Sequence, residues 1–179
     1  VETILWESCC DFWLLPEHLA RLKASAAHFF LEYNETNLVE QLNKSVEGLS
    51  RAPHLIRTQI DTKGEITLLA EVSDENRRPV TATLAKESID TENEFIYHKT
   101  TYRQMYTRAM EGMSDYDEVL LWNSKGEVTE SCTSNILFEI EEQLYTPPLS
   151  CGLLPGTLRA NLLADGSIKE RPILTDQLA

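Results

Sequence analysis

The stretch from Asp117 to Arg159, DEVLLWNSKGEVTESCTSNILFEIEEQLYTPPLSCGLLPGTLR, constrains the fold more than any other part of the chain. Its apolar runs are separated by a Lys125-Gly126 turn, a polar break at Glu130 to Ser134 and a further short turn, a pattern that predicts four successive strands. A Pro/Gly loop follows, with Gly152, Pro155 and Gly156 ahead of the apolar-periodic TLRANLL, and a helix opens there. The start of a helix presents backbone N–H groups and the positive end of the aligned peptide dipoles, which suits a phosphate. Glu130 follows the alternating pair Val128-Thr129 and sits where a strand stops, so its carboxylate can point into the floor of a cleft.

The remaining chain supplies alternating strands and helices. Residues 1–7 and 12–15 read as strands around a turn at Ser8 to Asp11, and Pro16 suits the first turn of a helix. In EHLARLKASAAHFFLEY, the residues Leu19, Leu22, Ala26, Phe29, Phe30 and Tyr33 recur at helical spacing. Thr36 is the expected N-cap of a second helix that carries Leu38, Val39, Leu42, Val46 and Leu49. Strands are expected at 54–61 and 65–72 about a Lys63-Gly64 turn, and at 80–85 beyond the polar loop SDENRRP. Residues 86–94, KESIDTENE, are acidic and without period, which predicts a linker. The expected division is an N-terminal α/β domain over 1–88 and a second domain over 89–179. In the latter, a short strand at 95–98 leads through Lys99 into a helix marked by Tyr102, Met105, Tyr106, Ala109 and Met113. The helical spacing of Tyr102 and Tyr106 assigns both to core packing.

Charge and cysteine usage narrow the function. With 16 Lys+Arg against 29 Asp+Glu the net charge is −13, which repels nucleic acid and anionic membrane surfaces. The apolar runs fall short of the ~18 residues of a membrane span, and no secretory leader is expected. Cys9, Cys10, Cys132 and Cys151 lack metal-ligand spacing. They read as reduced thiols of a cytoplasmic protein, and no metal is expected.

Three blocks, HLARLKASA at 18–26, HKTTYRQMY at 98–106 and EVTESCTSNILF through LLPGTLR at 127–159, resemble the class IV, fold-type IV family of pyridoxal 5′-phosphate (PLP) enzymes. That family includes branched-chain and D-amino-acid aminotransferases and aminodeoxychorismate lyase. HKTT followed by Arg103, together with TPPLSCGLLPGTLR, is most similar to the lyase branch and to the lyase-like domain of some para-aminobenzoate synthase fusions. The resemblance implies an α/β (α+β) enzyme with a smaller N-terminal domain, an open-barrel-like C-terminal domain, PLP in the crevice between them, and a homodimer.

It also implies roles for single residues. Lys99 is the expected catalytic lysine that carries PLP covalently, although alone it is an ordinary lysine at a strand end. Glu130 keeps the pyridine nitrogen protonated, where the bland alternative is an exposed strand-end glutamate. Arg21 matches the phosphate-contacting arginine, though without its block it is a helix-surface ion pair. Thr157 and Leu158 match positions whose main-chain N–H groups complete the phosphate site, with Leu158 standing where aminotransferases often have Thr. Asn135 matches a position near the cofactor and serves equally well as a turn residue.

Arg103 occupies a place where many aminotransferases carry Tyr and the lyase branch tends to carry Arg, so it is a candidate for binding substrate. Arg159 faces substrate carboxylates or supports the phosphate loop. The reading reached from these residues is conversion of 4-amino-4-deoxychorismate, a small anionic substrate, to 4-aminobenzoate and pyruvate in the folate pathway. The alternatives are a class IV aminotransferase acting on branched-chain or D-amino acids, and an inactive or incomplete domain of a larger protein.

Overall fold

The computed structural model describes residues 1–73 and 79–178, and the expected loop at 73–79 lies largely outside them. Two compact units divide the chain, Val1–Arg77 and Arg78–Ala179. The division precedes the segment expected to be a linker. Part of that segment belongs to the framework of the second unit, because Ile89 bridges Asn123 and its N–H donates to Trp122 O at 2.8 Å.

The first unit packs two helices with an antiparallel sheet. Strands β1 (Glu2–Glu7), β2 (Asp11–Phe12), β3 (His54–Ile60) and β4 (Ile66–Val72) form it in the order β2-β1-β3-β4. In β3 the burial alternates, with His54, Ile56, Thr58 and Ile60 inward, the two-residue period of a half-buried strand. Helices α1 (Leu15–His28) and α2 (Glu35–Ser45) place Leu22, Leu38 and Leu42 against Ile4 and Ile56. Helix α1 stops earlier than its apolar spacing predicts, with Phe30 in the left-handed region at φ 55° and almost fully exposed. The N-cap of α2 is Asn34, not Thr36, and its side chain accepts from Asn37 N at 3.0 Å.

The second unit contains two three-stranded sheets. In one, β5 (Ala82–Leu84) runs parallel to β6 (Glu118–Trp122), which pairs antiparallel with β7 (Val128–Ser131). The β6–β7 turn is organised by Asn123, whose Oδ1 accepts from Lys125 N and Glu127 N, with Gly126 at φ 77°. The second sheet joins β8 (Phe138–Ile140), β9 (Gln143–Thr146) and β10 (Lys169–Glu170). Helix α3 (Gln104–Met110) is shorter than expected, and α4 (Thr157–Ala164) opens after the Pro/Gly loop. Val119, Leu121, Ile96 and Cys132 form the core beside β6.

The strand expected at 95–98 is instead a single 3-10 turn, Glu94–Ile96. Asn93 explains the difference, because its side chain accepts from Phe95 N at 3.1 Å and gives the backbone a local partner in place of a strand. Among the described residues, no helix is long and apolar enough to cross a membrane.

Candidate active site

All four residues of β7 are buried, so the strand carries Glu130 into the interior at 4% exposure. A buried carboxylate needs donors to offset its lost hydration. Tyr106 Oη donates to Oε1 at 2.8 Å, and Asn135 Nδ2 and Leu154 N each donate to Oε2 at 3.1 Å. Burial nevertheless dominates and raises the Glu130 carboxyl to about 7, against the lowering effects of the Tyr106 and Leu154 bonds and of the Lys99 and Arg103 charges. The group is poised to hold or release a proton near neutrality.

Lys99, Arg103, Tyr106, Glu130, Asn135 and Leu154 line one small cleft in the second unit. Lys99 follows the 3-10 turn and precedes α3, and Arg103 is the N-cap residue of α3. The Arg103 guanidinium lies 4.4 Å from the centre of the Tyr106 ring, and its Nη2 donates to Cys132 O at 2.5 Å. Asn135 is no mere turn residue: besides Glu130 it bonds Leu154 O at 3.0 Å, tying the end of β7 to the Pro/Gly loop. Thr157 and Leu158 form the first turn of α4, whose N-cap is Gly156 and which has no side-chain cap. The helical spacing assigns Tyr106 to packing, and its ring does pack against the core beside β6; the bond from its hydroxyl to the buried acid is the part that spacing does not report.

Arg159 is 5% exposed, with Nη2 donating to Pro147 O at 2.8 Å and paired with Glu170 on β10. Both bonds anchor the guanidinium within the second unit, while its Nε is buried without a hydrogen-bond partner among the described residues. In the first unit, Arg21 Nε donates to Glu2 Oε1 at 2.8 Å, its Nη2 bonds Glu2 Oε2, and His18 Nδ1 lies 2.7 Å from the same oxygen. Glu2 is 1% exposed. Desolvation works against its charge, yet the Arg21 and His18 bonds together hold its carboxyl below the usual range.

The sequence pattern of amino-transferase class IV matches residues 1–179, and the chain belongs to that family. A relative from Schizosaccharomyces pombe, named "Putative aminodeoxychorismate lyase", is 35% identical over 94% of this chain and 74% of its own length. The crystal structure of a "Putative amino-acid aminotransferase" from Mesorhizobium loti is similar at 34% identity and TM-score 0.90, covering 99% of this chain and 87% of that one. The PLP-bound form of a hypothetical aminotransferase from Mycobacterium tuberculosis shares the fold at 16% identity and TM-score 0.80, covering 99% and 72%.

Proposed function

We propose that this protein is a PLP-dependent enzyme that converts 4-amino-4-deoxychorismate to 4-aminobenzoate and pyruvate. The observation that carries the PLP-enzyme reading is the convergence of an amine, Lys99, and a buried, hydrogen-bonded acid, Glu130, on one cleft, and the choice of lyase is supported by Arg103 and the 35% identity to the Schizosaccharomyces pombe relative. The donor set fits PLP: a lysine for its aldehyde, a carboxylate for its ring nitrogen and an amide side chain, Asn135, bridging that carboxylate to the loop ahead of α4. Thr157 and Leu158 would offer main-chain N–H groups to the phosphate. Arg21 is assigned to the phosphate by its place in HLARLKASA.

PLP, when bound, supplies an electron sink for the carbon that bears the substrate amine. Glu130 holds the proton of the ring nitrogen that this sink requires. The Lys99 amine takes the proton from the carbon geminal to nitrogen, the ring C–O bond to the enolpyruvyl group breaks, and the departing enolpyruvate takes up a proton to become pyruvate. Every atom of the substrate appears in the two products, so the reaction needs neither an oxidant nor a second substrate. Aromatisation supplies driving force. Arg103 is the candidate for a substrate carboxylate: a guanidinium has five N–H donors, and the bond to Cys132 does not exhaust them.

A transaminase is the second reading, favoured by the 34% identity to the protein from Mesorhizobium loti. It shares Lys99 and Glu130 but passes the amine to a 2-oxo acid. The deciding experiment offers PLP-loaded protein aminodeoxychorismate in one vessel, and 2-oxoglutarate with a branched-chain or D-amino acid in another. Formation of 4-aminobenzoate without amine transfer supports the lyase. The reverse pattern replaces it with the transaminase.

A further inference from the structure

Glu130 is gripped from both sides, and the grip on Oε1 comes from α3. Tyr106 Oη donates to Oε1 at 2.8 Å, while the Asn135 side chain and the Leu154 amide hold Oε2. These donors stand on three different segments, so rotating the carboxylate about its terminal torsion breaks at least one bond. An ionised carboxylate offers about four acceptor directions. Three are taken, and the one that remains lies on Oε1. Burial and the Glu130 charge push the Tyr106 phenol far above its ordinary value, so it stays a donor and never competes as an anion. Its ring carries the Arg103 guanidinium at 4.4 Å, and Arg103 is itself bonded to Cys132 O, two residues past Glu130.

We propose that Tyr106 is the positioning residue of Glu130: its hydroxyl fixes one carboxylate oxygen and leaves a single acceptor direction on that oxygen for a ligand N–H, with Arg103 steadying the ring. The role of that direction rests on the reading of Glu130 as the acid for the cofactor's ring nitrogen. The grip itself is a property of the protein alone.

The test follows the Glu130 titration in protein without cofactor, by NMR of side-chain carboxyl-labelled glutamate, with Glu130→Gln identifying the signal. Among the described residues, Lys99, Arg103, Tyr106 and the Cys132 thiol are the charged and titratable groups acting on Glu130, and all but Tyr106 are kept. Tyr106→Phe removes the hydroxyl and retains the ring. Loss of a donor to the charged form raises the Glu130 pKa by about one pH unit or more. A Tyr106→Phe protein with the wild-type titration overturns the proposal, whatever its stability, because a packing role alone leaves the titration unmoved. Should Tyr106→Phe fail to fold, incorporation of 3-fluorotyrosine gives a stronger phenolic donor. The Glu130 titration then moves down, and an unmoved value again overturns the proposal. No PLP is present, so this outcome and the fate of the proposed function are read separately.

Discussion

The Asn135 side-chain oxygen lies 1.8 Å from the position a Cβ on Gly156 would take. Glycine is required here by close approach and not by backbone angle, since Gly156 has φ −68°. The same Asn135 amide bonds Glu130 and Leu154 O, so the missing methyl at 156 is what lets the acid and the Pro/Gly loop share one side chain. Gly156→Ala therefore displaces Asn135 and breaks both bonds. The expected cost is about 1–3 kcal/mol of unfolding free energy, measured by urea denaturation. A variant as stable as wild type would contradict this packing.

Glu130 gives the protein a pH dependence of defined sign. Its folded value is about 7 against an ordinary 4.5, so the folded state binds the proton more tightly than the unfolded state does. The contribution to stability is complete below pH 4.5 and is lost as the pH rises through 7, amounting to about 3 kcal/mol. Comparison of cofactor-free wild type and Glu130→Gln between pH 5 and pH 8 isolates it. Wild type is expected to lose stability relative to the variant across that range; parallel curves would refute the assignment.

Glu2 acts in the opposite direction. Its folded value lies below its ordinary 4.5, so the Glu2–Arg21–His18 cluster stabilises above that value and weakens as acid protonates the carboxylate. Glu2→Gln leaves the Arg21 guanidinium without its bidentate partner, and a loss of about 3 kcal/mol at neutral pH follows. Acid titration monitored by circular dichroism should show the wild-type advantage shrinking as the pH falls below 4.5, and a constant advantage would be inconsistent with the cluster.

Thiol chemistry divides the cysteines in two. Cys9 and Cys10 are exposed at the β1–β2 turn, whereas Cys132 and Cys151 are buried and each raised to about 11, chiefly by desolvation. A thiol reagent at neutral pH should modify Cys9 and Cys10 in the native protein and reach the other two only after denaturation. Rapid native labelling of Cys132 would show that the cleft wall at the end of β7 opens.

Elements with strong local patterns were legible in the sequence: the β6–β7 hairpin, the Pro/Gly loop before α4, and Glu130 at the end of its strand. Most of what escaped depends on partners distant in sequence. Tyr106 packs against the core as its spacing predicts, but helical spacing reports a face and not what a hydroxyl meets. The Arg159–Glu170 pair escaped because Glu170 lies on a two-residue strand too short to leave a pattern. The 3-10 turn at 94–96 was hidden because Asn93 competes for the backbone through its side chain. The 86–94 segment reads as a linker from its acidity, yet Ile89 is 7% exposed in the second unit's core.

In the proposed function Lys99 carries PLP. Purified protein is incubated with PLP, reduced with borohydride, digested and mapped by mass spectrometry, with Lys99→Ala and Lys86→Ala treated alongside. A pyridoxyl adduct is expected on the Lys99 peptide in wild type and in Lys86→Ala, and its loss in Lys99→Ala. An adduct at wild-type level in Lys99→Ala, or one confined to other lysines, would contradict it.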